Sequence, residues 1–181
     1  MTPALFLDRD GTIIFDKHHI HNPGDVRLVP GVREALKASL EAGYKLFILT
    51  NQSGIGRGYF TWDDYQACNT RMIELLGLGK EVFTEIKAAP EIPGVPSLYR
   101  KPDPRFINEM VAKYRLAGSA SWMIGDRQSD WECGLNAGIK SAAVRTGKPI
   151  EPEDASYLQK SEIPVFDDLP AFIRGELQLA W

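Results

Sequence analysis

The sequence predicts an α/β fold, a mostly parallel sheet with helices on both faces. Three observations carry that expectation. Short apolar runs alternate with helical patterns along the 181 residues, the signature of strand–helix–strand units. Several of those runs are apolar throughout rather than alternating, as strands covered on both faces are. Polar groups stand where three of the runs end, at Asp8, Thr50 and Asp126. Open parallel sheets bind ligands beyond the carboxyl ends of their strands, so three distant segments would converge on one rim.

The elements follow in order. Ala4–Leu7 reads as the first strand. Residues 31–42 read as a helix with Val32, Ala35, Leu36 and Leu40 on one face and Gly43 at its end. Lys45–Thr50 is a second buried strand. Thr61, with Asp64 three residues on, opens a helix through an approximate capping box. Val82–Ile86 is a weaker strand. Pro104 suits a first helical position, ahead of Phe106, Ile107, Met110, Val111 and Tyr114. Ser121–Gly125 is a strand, Glu132–Ala137 a short helix and Ser141–Arg145 a further strand. Val165-Phe166 and Leu169–Leu177 close the chain as a strand and a helix. The apolar end, Leu177–Trp181, either packs back or meets a partner.

Bulk properties narrow the class. The length suits a single domain over residues 1–181, and 44% hydrophobic residues suffice for a core. A net charge of −3 gives no global pull toward nucleic acid or an anionic membrane. No apolar run is long enough to span a bilayer. No basic stretch precedes a signal-type apolar core, so a cytoplasmic protein is expected. Cys68 and Cys133 are too few and too far apart for a disulfide framework, and read as reduced thiols. A monomer is expected, with no membrane or nucleic-acid partner.

The chemistry starts at Phe6-Leu7-Asp8-Arg9-Asp10-Gly11-Thr12. Two carboxylates two residues apart at a strand end can act as nucleophile (Asp8) and as acid and base (Asp10). With Mg2+ between them they can carry phosphoryl transfer through an aspartyl-phosphate. The bland alternative is a strand-to-turn junction with ordinary Asp and Gly.

Thr50-Asn51-Gln52-Ser53-Gly54-Ile55-Gly56-Arg57-Gly58 offers a hydroxyl and backbone N–H groups to phosphate oxygens. Its glycine spacing does not match a dinucleotide fingerprint, and a flexible loop is the alternative. Lys101, within Arg100-Lys101-Pro102, could neutralise a phosphate and the nucleophile; a solvated basic pair is the alternative. Gly125-Asp126-Arg127-Gln128-Ser129-Asp130 offers two carboxylates at a strand end. Mg2+ needs only one or two carboxylates besides waters and substrate phosphate. Asp126 reads as the direct ligand, and Asp130 as a water-mediated ligand, a helix cap, or both.

These ordered segments resemble the haloacid dehalogenase (HAD) superfamily of phosphatases. Asp8-Arg9-Asp10-Gly11-Thr12 matches its first motif, Thr50 its second, Lys101 its third and Gly125-Asp126 through Asp130 its fourth. Within it the chain resembles the D-glycero-D-manno-heptose 1,7-bisphosphate and histidinol-phosphate phosphatases. Val144-Arg145-Thr146-Gly147-Lys148-Pro149-Ile150 adds to that likeness.

The resemblance implies a three-layer, Rossmann-like fold. It also implies a Mg2+-dependent sugar-phosphate phosphatase, acting on the C7 phosphate of the heptose bisphosphate. Histidinol phosphate and nucleic-acid ends are the alternative substrates, and a non-catalytic phosphosugar-binding protein is the most distant reading. No stretch of the chain has room for an inserted cap domain. Metal ligands are expected from Asp8, Asp10, Asp126 and Asp130, with Asp10 contributing its backbone carbonyl. The catalytic set is Asp8, Asp10, Thr50 and Lys101.

The resemblance also implies substrate contacts from the segment after the first strand, which reads as a polar flap with Asp16, Lys17, His18 and His19. Asn51, Gln52, Ser53, Arg57, Arg100 and Arg127 complete that set. One departure stands out. Those phosphatases commonly carry a zinc loop of three cysteines and a histidine just before Arg-Lys-Pro. Residues 87–99 here hold neither Cys nor His, so no structural zinc is expected. Pro90, Pro93 and Pro96 would stiffen the loop instead.

Overall fold

The computed structural model describes all residues, Met1–Trp181. Six strands and seven α-helices follow one another as β1 (Ala4–Leu7), α1 (Val32–Glu41), β2 (Lys45–Asn51), α2 (Ser53–Gly56), α3 (Trp62–Leu76), β3 (Glu85–Ala89), α4 (Arg105–Tyr114), β4 (Trp122–Gly125), α5 (Gln128–Asn136), β5 (Lys140–Val144), α6 (Pro152–Lys160), β6 (Val165–Phe166) and α7 (Leu169–Gly175). The sheet order is β3-β2-β1-β4-β5-β6 and every pairing is parallel. The chain winds one way from β1 to β3, then returns to lay β4 on the other side of β1. The strand order thus reverses between β1 and β4, which opens a crevice at their carboxyl ends.

Alternation along the strands builds three layers. Leu5 and Leu7 of β1 enter a core with Val32, Ala35 and Leu36 of α1, Met72 and Leu76 of α3, and Phe172 and Ile173 of α7. Ala4 and Phe6 face the other way, into a core with Phe106, Ile107 and Met110 of α4 and Cys133 of α5. Phe6 stacks on Phe47 of β2, with ring centroids 4.8 Å apart. A third cluster seats α6 on β5 through Leu158, Trp131 and Ala143. Both cysteines are buried free thiols.

The expected elements appear, with three shifts. The strand expected at Val82–Ile86 is β3, Glu85–Ala89. Val82 and Phe83 are buried, but they fill the core without pairing, and ladder pairing begins at Glu85, opposite Phe47. The helix expected at Glu132–Ala137 starts four residues earlier, at Gln128. Pro104 is the residue before α4 rather than its first, and Asp103 Oδ1 accepts from Arg105 N at 2.8 Å. Two helices have no counterpart in the sequence expectation: α2, inside the glycine-rich stretch, and α6, which buries only Asp154 and Leu158.

The apolar C-terminus packs back. Leu177 and Leu179 lie against the core, and the Trp181 ring meets the Arg174 guanidinium at 4.9 Å. No helix is long and apolar enough to cross a membrane.

Candidate active site

A cavity of about 300 Å3 opens at the carboxyl ends of β1, β2 and β4. Among its lining residues are Asp8, Asp10, Thr50, Lys101 and Asp130. Asp8 continues the β1 direction, its N–H donating to Ile124 O at 2.9 Å. That bond ties the end of β1 to β4 and brings Asp8 beside Asp126 and Asp130. Oxygens of all three carboxylates lie within 4.8 Å of one another, and all three residues are buried.

Lys101 reaches the same spot from the segment before α4. Its ammonium is 2.7 Å from Asp8 Oδ1, 2.6 Å from Asp130 Oδ1, and donates to Leu49 O at 2.7 Å. Asn51 holds the lysine's backbone at two points, accepting from Lys101 N at 3.0 Å and donating to Lys101 O at 3.1 Å. Lys101, from the segment before a helix start, is therefore buried and fixed rather than solvated.

The electrostatics follow from that packing. One buried ammonium among three buried carboxylates, with the half-exposed Arg127 guanidinium 3.8 Å from Asp126 Oδ2, leaves the cluster with negative charge in excess. Burial pushes the Asp8 carboxyl up to about 8; Lys101 opposes this, while Asp130, Asp126 and Asp10 add to it. Asp126 is pushed up to about 6 by burial, then by Asp130. Lys101 is driven the other way from what burial alone would do, since Asp130 and Asp8 beside it favour its charge.

Asp126 Oδ1 is buried with no hydrogen-bond partner, while its Oδ2 accepts from Lys148 N at 2.7 Å. A buried carboxylate oxygen without a donor is costly. Excess negative charge, hard oxygen donors and an orphaned oxygen together fit a divalent cation.

Glycines make room for these carboxylates. A side chain on Gly125 would collide with the Asp130 carboxylate, which lies over it, and one on Gly147 would collide with Asp126. Gly11, at φ +86°, needs a conformation that L side chains rarely adopt, and it also faces Asp126. Asp130 serves two elements: Oδ2 accepts from Arg127 N at 3.0 Å, starting α5, while Oδ1 meets Lys101.

Asp10 is held from two sides. Gln52 Nε2 donates to Asp10 Oδ2 at 2.6 Å and to Thr50 Oγ1 at 2.9 Å. Beneath it lies Arg9, wholly buried. Its Nη2 donates to both Asp10 oxygens at 3.0 Å, and its Nε to Oδ2 at 3.2 Å. Burial opposes the arginine's charge, and Asp10 more than restores it.

Around the mouth the structure sorts the remaining expected residues. Asp16, His18, His19, Asn51, Gln52, Ser53, Arg100 and Arg127 line the cavity. Lys17 and Arg57 do not: Lys17 is exposed, 3.5 Å from Asp25, and Arg57 is exposed after α2. The flap is tied down by Arg127 Nη2, which donates to Asp16 Oδ2 at 2.9 Å. Its other side packs on aromatics, His19 against Tyr59 at 5.1 Å and His21 stacked on Phe60 at 6.0 Å. The proline loop is cross-linked by polar groups. Ser97 Oγ donates to Glu91 Oε2 at 3.0 Å, Arg100 Nη1 to Glu91 O at 2.8 Å, and Arg100 N to Ser97 Oγ at 3.0 Å.

Sequence reasoning missed Arg9, its partner Asn69, and the Gly147-Lys148 backbone that braces Asp126. A signal for Arg9 was present. If residues 8 and 10 face the crevice, period-2 alternation sends residue 9 into the core, where a charge needs partners.

Fold and site define a HAD-type phosphatase, and comparison with known proteins agrees. The HAD-hydrolase-like family model matches residues 98–172. Two curated relatives narrow the class. The D-glycero-beta-D-manno-heptose-1,7-bisphosphate 7-phosphatase of Helicobacter pylori is 35% identical, over 92% of this chain and 96% of its own length. The D-glycero-D-manno-heptose-1,7-bisphosphate 7-phosphatase of Chlorobaculum tepidum is 37% identical, over 95% of this chain and 92% of its own. The chain belongs to this heptose-bisphosphate phosphatase family. Among solved structures, the D,D-heptose 1,7-bisphosphate phosphatase of B. bronchiseptica, complexed with magnesium and phosphate, superposes with a TM-score of 0.84. It is 25% identical, covering 97% of this chain and 98% of that one.

Proposed function

We propose that this chain hydrolyses the C7 phosphate of D-glycero-D-manno-heptose 1,7-bisphosphate, with Mg2+ and through an aspartyl-phosphate on Asp8. The observation that carries the reading is the buried Asp8–Lys101–Asp130 contact beside Asp126. A carboxylate that can serve as nucleophile, a fixed cation and further hard oxygens for a metal meet in one buried cluster, which supports the reading.

Mg2+ would be held by Asp8, Asp126 and the backbone carbonyl of Asp10, and would neutralise charge on the transferring phosphoryl group. Asp130 is engaged with Lys101, which suits it to holding that lysine rather than to direct ligation. In the first half-reaction an Asp8 carboxylate oxygen bonds to phosphorus as the bond from phosphorus to the sugar oxygen breaks. Asp10 gives the sugar oxygen its proton. In the second half, a water oxygen bonds to phosphorus and the bond to Asp8 breaks, while Asp10 takes the water's proton. Thr50 offers a hydroxyl, and Lys101 a fixed positive charge, to the equatorial oxygens, where charge builds up. Arg100, Arg127 and the flap residues His18 and His19 line the same cavity, which supports a role for them in holding the rest of an anionic sugar.

The test is phosphate release from the heptose bisphosphate in both anomers, from histidinol phosphate, and from 5′- and 3′-phosphorylated oligonucleotides. Each is assayed with Mg2+ and with chelator. The reading expects Mg2+-dependent release, fastest from the heptose bisphosphate, with a heptose 1-phosphate as product. Faster turnover of histidinol phosphate would move the substrate, and no release from any of them would end the phosphatase reading.

A further inference from the structure

We propose that Arg9 is a positioning residue for the acid–base Asp10 and that it leaves Oδ1 as the oxygen that handles the proton. The inference rests on the phosphatase reading above and adds a residue and an atom to it.

Asp10 Oδ2 receives Arg9 Nε at 3.2 Å, Arg9 Nη2 at 3.0 Å and Gln52 Nε2 at 2.6 Å. Oδ1 receives Arg9 Nη2 alone, at 3.0 Å. A carboxylate oxygen offers about two lone-pair sites. Oδ2 is therefore saturated and Oδ1 retains one. The side that anchors Asp10 is Oδ2, and the oxygen with capacity for a sugar oxygen's or a water's proton is Oδ1.

Arg9 can impose this because it is itself fixed. It is wholly buried, its Nη1 donates to Asn69 Oδ1 at 2.9 Å, and its guanidinium lies over the Tyr65 ring at 5.0 Å. Asn69 and Tyr65 both stand on α3, so a helix remote from the crevice sets the acid–base angle through one planar group. A lysine would keep the charge but lose the fork that addresses both oxygens. Burying an arginine solely for stability is an expensive choice. An apolar side chain would fill the same core without demanding a partner.

Arg9→Lys and Asn69→Ala test this. Asn69→Ala keeps both charges and loosens only the far side of Arg9, so it decides if Arg9→Lys does not fold. Steady-state rates are measured on the heptose bisphosphate, whose alkoxide must be protonated to leave, and on p-nitrophenyl phosphate, whose phenolate leaves without a proton. Rapid acid quench measures the fraction of enzyme trapped as aspartyl-phosphate with the second substrate.

The expected result for Arg9→Lys is a kcat on the sugar phosphate lower by about 10- to 100-fold, since misplacing a general acid forfeits much of its effect. KM and the Mg2+ concentration for half-activation should stay within about threefold, the change in kcat being one of orientation rather than of binding. Asn69→Ala should follow in the same direction by a smaller factor. With p-nitrophenyl phosphate the trapped fraction should rise above wild type, because bond cleavage proceeds while water activation lags. A merely structural role would lower both rates together and trap nothing more. That outcome, or an unchanged kcat in a folded variant, overturns the inference. A wild type with no Mg2+-dependent release overturns the phosphatase reading, and this inference with it.

Discussion

Asp8 is the proposed nucleophile, and its surroundings make its replacement informative. It is buried and engages Lys101, which keeps a second carboxylate partner in Asp130. Asp8→Asn therefore leaves the lysine paired and the site close to isosteric, so folding should survive. Turnover should fall by roughly a thousandfold or more, since the amide is not a nucleophile here. Circular dichroism and phosphate release on the same preparation check both halves; substantial residual activity in a pure, folded variant would sink the covalent scheme. Asp8, Asp10, Thr50 and Asp126 were legible because each stands at or just beyond an apolar run, where chemistry is expected in parallel sheets. Arg9 was not, because a charged residue between two carboxylates reads first as their solvated neighbour. Lys17, expected among the flap contacts that the resemblance implies, and Arg57, expected from the glycine-rich stretch, do not line the cavity. Proximity along a loop does not fix the direction of a flexible side chain.

At the scale of elements, the clearest local signal was the start of α3. Thr61 Oγ1 accepts from Asp64 N at 3.2 Å, and Asp64 Oδ2 accepts from Thr61 N at 2.8 Å, a reciprocal box. Donation from Thr61 N and from the Thr61 hydroxyl holds the Asp64 carboxyl below its ordinary range. Thr61→Ala should cost about 1 kcal/mol of stability, read from urea unfolding. If α3 sets the angle of Asp10 only through Asn69 and Tyr65, further along the helix, kcat should change by less than about twofold. A large loss of kcat without loss of stability would tie the exposed helix start to the site in a way the hydrogen bonds do not. The elements that escaped the sequence share a cause. The four residues of α2 bury only Gly54, and α6 buries two of its nine residues, so neither has an apolar stripe for periodicity to find. The shift of β3 has the opposite cause: Val82 and Phe83 are apolar enough to mark a strand, yet core burial and ladder pairing are separate conditions. Edge strands, paired on one side only, are where the two part.

At the scale of the whole molecule, the sheet draws its charge to one place. The reversal of strand order sets β1 beside β4, so carboxylates far apart in sequence share one crevice, and only one buried lysine answers them. Without metal the folded protein relieves the excess by retaining protons: Asp8 is pushed up to about 8 and Asp126 to about 6, burial leading in both cases. An unfolded carboxyl releases its proton near pH 4. These two groups therefore contribute stability that is fully present below about pH 4 and is lost as pH rises through 6 and then 8, because the unfolded chain gives up protons that the folded site keeps. Mg2+ held by the ionised carboxylates, as proposed, would expel those protons. Its stabilising effect should accordingly grow as pH rises over the same window. In chelator, the thermal midpoint should decline from about pH 6 to about pH 8. Millimolar Mg2+ should raise it more at about pH 8 than at about pH 5.5. Titration calorimetry near neutral pH, in buffers of different ionisation heat, should record net proton release on Mg2+ binding. The Asp126→Asn variant removes one titrating group and an intended ligand together, so it should weaken the Mg2+ shift and flatten its pH dependence. An Mg2+ shift that is constant with pH, or that shrinks as pH rises, would mean that the three carboxylates do not act as one metal-balanced cluster.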